Sequence, residues 1–163
     1  MDTPPGAETT LIVSLPLVPV KRTVLFPDTL VPFTIGRPRS IAAVEAAMNS
    51  EDKALVFATQ RDSEKDEPEF DDLYRIGTKA VIKQMGKTPD GHLQVLAQGI
   101  ERVVLLKREQ AEPHMIVRTR PLALSLESDL ELEALHRELV ELIGQLPELL
   151  TTQGVVELVA VLR

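Results

Sequence analysis

Residue patterns that could carry catalysis are scarce in this sequence. Gly86-Lys87-Thr88 resembles the end of a phosphate-binding loop. That motif, however, needs a glycine where Val81 stands and a helix where Pro89-Asp90-Gly91 makes a turn. The three histidines lie far apart and none belongs to a metal-binding HExxH motif: His92, His114 and His136. Without cysteine or a GxSxG elbow, we expect no catalytic residue, no metal ligand and no cofactor in this chain.

Composition limits the class of protein further. The 163 residues are 44% hydrophobic, which suits one compact domain, or one domain and the start of another. Aromatic residues make up only 3%, so the core must be aliphatic and there are few rings on which nucleic-acid bases could stack. No segment is long enough to cross a membrane, and none reads as a signal peptide. We therefore expect a cytoplasmic chain with neither a membrane nor a nucleic acid as partner.

One stretch concentrates negative charge, although the chain's net charge is only -7. Residues 62–72, called the acidic loop below, contain seven carboxylates against the single base Lys65. The Asp-x-Asp-x-Asp-Gly spacing of a calcium site is missing. The acidic loop is therefore predicted to be a solvated connection without a metal.

Strand patterns dominate the chain up to about residue 124. Apolar or alternating runs predict strands at residues 11–20, 31–35, 53–59, 78–87, 92–97, 102–107 and 115–122. The first run contains Pro16 and Pro19, which cannot donate hydrogen bonds to a ladder, so it is expected to be an edge strand or two short strands. Thr88-Pro89-Asp90-Gly91 predicts a hairpin turn.

A single helix is predicted among these strands. Pro38 suits a first helical turn, and Ile41, Val44 and Met48 follow at helical spacing. Six or seven strands with one helix predict an α+β fold built on a small barrel or folded-over sheet. We assign residues 1–10 to a flexible leader and residues 11–124 to this β-rich domain.

After residue 125 the pattern becomes helical. Five leucines follow a 3-4-3-4 spacing that forms the apolar side of an amphipathic helix: Leu132, Leu135, Leu139, Leu142 and Leu146. A second helix is predicted over residues 155–162. Two short helices cannot bury this much leucine alone, so residues 125–163 are expected to be the start of a helical segment in a longer protein. The five leucines are also the predicted site of self-association, which would make the chain a dimer.

The segment from Leu15 to Ser40 carries a distinctive run of landmarks. It reads Leu15-Pro16, Pro19, Lys21, Phe26-Pro27, Pro32, Gly36-Arg37 and Ser40 before an alanine-rich helix. Three later landmarks are Ile76-Gly77-Thr78, Pro89-Asp90-Gly91 and Gly99 with Arg102. In these residues and their spacing the chain resembles the amino-terminal domain of the ATP-dependent protease Lon, over about residues 15–122 and the helices that follow.

The resemblance implies a PUA-like β-rich domain that leads into helices and has no catalytic role of its own. In the whole protein it implies an AAA+ ATPase that uses ATP and magnesium, a serine peptidase with a Ser-Lys dyad, and assembly into a homo-hexamer. The implied role of this domain is to recognise unfolded or damaged proteins for degradation. Two alternatives remain: a separate Lon-type substrate adaptor, and an RNA-binding module, which the shortage of aromatic residues opposes.

Six residues are candidates for contact with a client protein. Four are apolar side chains beside prolines or glycine, where a strand interior is not expected: Phe26, Leu30, Phe33 and Met85. Arg37 and Arg39 flank the predicted helix start and could orient polar groups of a client.

Overall fold

The protein is described by a computed structural model that covers residues 11–123 and 130–145. These residues fall into two compact units, one within Met1–Ala123 and one within Leu124–Arg163. The first unit contains six strands and one helix in the order β1 (Val13–Val20), β2 (Leu30–Ile35), α1 (Pro38–Met48), β3 (Ala54–Thr59), β4 (Ile76–Lys87), β5 (Leu93–Gln110) and β6 (Ile116–Pro121). The second contains α2 (Leu130–Gly144). The predicted α+β fold is confirmed.

Five of the strands pair in a ring. The order across the sheet is β2, β5, β4, β3, β1, β6, and β5 also pairs with β6, which closes the ring. β2 lies outside it as an edge strand on β5. β1 and β3 run parallel, whereas every other pair is antiparallel. The expectation of a small closed sheet is therefore correct.

β1 shows how two prolines fit within this ring. Val13–Pro16 pair with β6, whereas Leu17–Val20 pair with β3. Each half of the strand thus has a paired side and an unpaired side. A proline removes no ladder hydrogen bond when the position of its missing N–H faces the unpaired side. Of the two expectations, the edge strand is wrong, because β1 lies between β3 and β6. Two short strands is closer, because the partner changes after Pro16, although Val13–Val20 is one continuous strand.

β5 joins two predicted strands into one. The sequence predicts separate strands at residues 92–97 and 102–107, but Leu93–Gln110 is continuous. Irregularities in its pairing with β4, between Lys79 and Ala80 and between Ile82 and Gln84, bend the ladder without ending it. The first half of β5 can therefore pair with β2 and β4, and the second half with β4 and β6.

The core consists of two aliphatic clusters. Alternate residues of β3 enter different clusters: Leu55 and Phe57 join one, and Val56 and Ala58 join the other. A strand buried on both faces reads as a continuous apolar run, as residues 54–58 do. The first cluster also contains Ala43, Val44 and Ala47 of α1, so the predicted helix packs on the sheet by its small residues.

The described part of the second unit is α2. Its leucines at the predicted spacing are about half exposed: Leu132, Leu135, Leu139 and Leu142. Leu146 and the predicted helix at residues 155–162 lie outside the described residues.

The loop between β1 and β2, residues 21–29, crosses the middle of β5. The Asp28 N–H donates to the Gly99 carbonyl oxygen at 3.0 Å, and the Gly99 N–H donates to the Thr29 carbonyl oxygen at 2.9 Å. A Cβ atom added at Gly99 would overlap the carbonyl oxygen of Phe26. Glycine at this position is therefore what permits the loop to lie directly on the strand.

We predict that Gly99→Ala lowers the free energy of unfolding by about 1 to 3 kcal/mol, because the loop or the strand must shift. Gly86→Ala is the matched control, since a Cβ atom there meets nothing within 4 Å. It should change stability by less than about 0.5 kcal/mol. Urea unfolding of both variants measures this, and equal stabilities would show that the crossing is not a tight contact.

Candidate functional site

The loop that crosses β5 presents apolar side chains to solvent. Leu25 is buried in the first core cluster, and the Thr78 hydroxyl donates to its carbonyl oxygen at 2.6 Å. The Thr59 hydroxyl holds the Thr23 carbonyl oxygen at 2.6 Å. With Leu25 held inward, its neighbours Val24 and Phe26 are exposed.

Three further exposed apolar residues adjoin the loop, or adjoin residues that hydrogen-bond to it. Ile100 follows Gly99, where the loop crosses, and Ile76 lies two residues before Thr78, which binds the loop. Leu30 begins β2 immediately after the loop. We call these residues the apolar band: Val24, Phe26, Leu30, Ile76 and Ile100.

Phe26 is the aromatic member of the apolar band. Its side chain is 51% exposed, and the Arg102 guanidinium lies 5.5 Å from the ring centroid. A cation over one face of the ring favours a defined orientation. The Thr29 hydroxyl donates to the Phe26 carbonyl oxygen at 2.6 Å, which also limits motion of the backbone. The ring is thus both accessible and positioned, as a binding surface requires.

The other predicted contact residues lie elsewhere. Phe33 and Met85 are both opposite Val95 in the sheet, four residues from Gly99. Phe33 is half-buried and stacks on Phe57 with ring centroids 4.4 Å apart, so it belongs to the edge of the core. Met85 is 38% exposed, near the turn between β4 and β5. Of the four apolar candidates, only Phe26 and Leu30 lie in the apolar band.

Arg37 is half-buried and satisfied within the protein. Its guanidinium donates to the Gln60 side-chain oxygen at 2.7 Å, the Pro19 carbonyl oxygen at 2.5 Å and the Asp66 carbonyl oxygen at 3.1 Å. Burial lowers the pKa of Arg37, although the charge of Asp66 opposes the shift. The Gln60 amide in turn donates to carbonyl oxygens of the acidic loop, at Asp62 and Lys65. Arg37 and Gln60 therefore tie the acidic loop to β1 and the start of α1.

Ion pairs tie the acidic loop at further points. Arg39 contacts Glu69 at 3.2 Å and Glu112 at 3.3 Å, and Arg108 also contacts Glu69. Lys21 contacts Asp66 at 3.0 Å. The loop is mostly exposed, as the sequence predicts, but basic residues from distant parts of the chain hold it in place.

Arg37 lines two cavities. The smaller, of about 210 Å³, is at the start of α1, and the larger, of about 440 Å³, extends toward Thr34 and His92. Both are lined by Pro19, Arg37, Ser40 and Asp66. The two cavities are therefore neighbours that share Arg37 in their lining.

Within the described residues, no group of three histidine or carboxylate side chains could hold a metal ion. Burial lowers the pKa of His114. No helix in this part of the chain is long and apolar enough to cross a membrane.

Several features of this surface escape the sequence analysis. Val24, Ile76 and Ile100 read as ordinary loop or strand residues. Ile76 and Ile100 lie within β4 and β5, and Val24 lies between Thr23 and Leu25, whose carbonyl oxygens are held by residues distant in sequence. Gln60 carries no motif signal, although it is buried and links three parts of the fold.

The family model described as the substrate-binding domain of ATP-dependent protease La (Lon) matches residues 14–161. The chain therefore belongs to this family of substrate-binding domains.

Curated relatives are named Lon protease. One, from Nitrosococcus oceani, is 45% identical over 85% of this chain, and another, from Desulforamulus reducens, is 41% identical over 79%. The matched part covers 18% and 16% of those proteins, so this chain spans less than a fifth of their length.

A solved structure gives the same fold. The amino-terminal domain of the Lon protease of the Mycobacterium avium complex superposes with a TM-score of 0.69, over 92% of this chain and 74% of that one, at 21% identity.

The acidic loop generates a prediction about pH. A hydrogen bond from Lys65 at 2.6 Å, and one from the Glu69 backbone, lower the pKa of Asp72 from its ordinary value of 3.8. The same pair raises the pKa of Lys65, which stays charged throughout the acid range. A lowered carboxyl pKa contributes stability that is present above the ordinary value and lost as the pH falls through the folded-state value.

We therefore predict that Asp72→Asn lowers the urea midpoint at neutral pH and loses less on acidification to about pH 3 than the unsubstituted protein does. Asp52→Asn, at an exposed turn position, is the control and should behave like the unsubstituted protein. Identical acid-induced losses in Asp72→Asn and the unsubstituted protein would contradict the role of this pair.

Proposed function

We propose that this chain is the substrate-recognition domain of an ATP-dependent Lon serine protease and binds unfolded or damaged proteins for degradation. The observation that carries the proposal is the apolar band, in which a tightly seated loop keeps Phe26 and its neighbours exposed. Family membership supports it. In this proposal ATP, magnesium and the Ser-Lys dyad act in other parts of the protein, and this domain contributes no catalytic residue.

The physical basis of discrimination is the exposure of apolar groups. A folded protein buries most of its large apolar side chains, whereas an unfolded one presents them along an extended chain. A band of five aliphatic or aromatic side chains can cover some of them. The free energy gained in this shallow contact is partly offset by the conformational entropy that the client loses when it becomes ordered. The expected affinity is therefore on the order of micromolar or poorer.

We predict that Phe26→Ser weakens binding to an unfolded protein about 5- to 30-fold, as the loss of 1 to 2 kcal/mol at a central contact would do. The measurement is fluorescence anisotropy with labelled lysozyme, either reduced and alkylated or native. Native lysozyme should bind detectably to neither the unsubstituted chain nor the Phe26→Ser variant.

Leu106→Ser is the matched control for this assay. Leu106 is another exposed apolar residue, but it lies seven residues beyond Gly99 on β5. Its substitution should leave the affinity unchanged. Equal loss in both variants, or unimpaired binding by Phe26→Ser, refutes the assignment of the apolar band. Urea unfolding should show that Phe26→Ser remains folded, since the ring is half exposed.

We propose in addition that the leucines of α2 support self-association of this chain. Leu135, Leu139 and Leu142 are about half exposed along one side of the helix. Burying one leucine contributes about 1.5 to 3 kcal/mol, so several shared between two chains can support a dimer.

We predict concentration-dependent dimers by light scattering, and a shift to monomer in Leu139→Glu, which adds one negative charge among the leucines. Arg137→Gln makes the same change in net charge on the opposite side of α2 and should leave the dimer intact. A chain that is monomeric at every concentration, or a Leu139→Glu variant that dimerises normally, contradicts the proposal.

A further inference from the structure

The smaller cavity beside Arg37 has an apolar interior. Its floor is formed by Leu17 and Met115, which are 1% and 4% exposed. Prolines from three segments complete the apolar lining: Pro19, Pro38 and Pro68. None of these residues belongs to the apolar band, so the cavity is a separate feature of the same unit.

The size of the cavity fits one side chain. An apolar void of about 150 Å³ is large enough to bind benzene. At about 210 Å³ the cavity can accept one leucine, methionine or phenylalanine side chain, but not a drug-sized ligand. Its walls come from β1, the start of α1, the acidic loop and Met115, just before β6, so it is formed by the fold and not by one mobile segment.

The charges that line the cavity favour a basic neighbour for that side chain. Arg39 lines it but is paired with Glu69 and Glu112. Arg37 also lines it and keeps its charge, but its guanidinium donates to the Gln60 side chain and the Pro19 carbonyl oxygen within the protein. Glu67 is exposed and takes part in no ion pair among the described residues, and Asp66 is 91% exposed although it contacts Lys21. Beside the exposed and unpaired carboxylate of Glu67, a lysine or arginine is therefore favoured over a carboxylate.

We propose that this cavity binds a single apolar side chain of an extended protein segment, with a lysine or arginine next to it in the segment placed against Glu67. The inference rests on the proposed function, because it assigns part of the client's recognition to a defined site. It adds a preference that the apolar band alone cannot provide: an apolar residue with a basic residue next to it in the segment.

Methyl NMR can locate the occupant. The chain has four methionines, of which Met115 lines the cavity while Met85 lies near the turn between β4 and β5. With ¹³C-methyl methionine in the whole chain, a soluble decapeptide that contains one Leu-Lys step should shift the Met115 signal saturably and leave Met85 unchanged. A peptide with Ala-Lys should not shift it, and one with Leu-Glu should bind about fivefold or more weakly.

Two pairs of variants test the site independently. Pro38→Trp places a ring at an exposed lining position and should weaken the Leu-Lys peptide at least about tenfold, whereas Pro32→Trp, on the edge strand β2, should not. Glu67→Lys should abolish the preference for Leu-Lys over Leu-Glu, whereas Glu51→Lys at an exposed turn should preserve it.

The outcomes separate this inference from the proposed function. If reduced and alkylated lysozyme binds but no peptide shifts Met115, the cavity is not the site and the apolar band remains. If neither unfolded lysozyme nor the peptide binds, both proposals fail. Equal binding of the Leu-Lys and Leu-Glu peptides would overturn the role of Glu67.

Discussion

The close approach of the Phe26 carbonyl to Gly99 is the contact on which the exposed surface depends. Because position 99 has no Cβ, loop 21–29 can exchange backbone hydrogen bonds with the middle of β5. That seating directs Leu25 into the core and leaves Phe26 outside. The apolar band is therefore not a defect in packing. It follows from one glycine in β5, because a side chain at position 99 would keep the loop from lying on the strand.

Local patterns in the sequence predict most elements, because they depend on neighbours along the chain. Helix α1 follows from Pro38 and the spacing of Ile41 and Val44, and the hairpin follows from residues 88–91. The predictions that are wrong concern features that depend on which strands pair. Pro16 and Pro19 suggest an edge strand, but β1 changes partner halfway along. Likewise, two predicted strands become β5 because bulges bend the ladder without ending it.

The candidate site is less predictable for the same reason. Phe26 and Leu30 can be found from their positions beside turn residues, whereas Phe33 looks similar but stacks on Phe57, which is distant in sequence. Ile76 and Ile100 become exposed only through strand pairing. Arg37 lines both cavities and donates to β1 and to the acidic loop at once, and no local pattern encodes such a contact. Resemblance to the Lon family indicates the role, but not which surface performs it.

Photo-crosslinking tests most directly whether clients bind where loop 21–29 crosses β5. A benzoylphenylalanine placed at position 26 should crosslink to reduced and alkylated lysozyme and not to the native form. The same group at position 106, on the far part of β5, should crosslink to neither above background. Crosslinks of equal yield at positions 26 and 106, or crosslinks from position 26 to native lysozyme, would contradict the account.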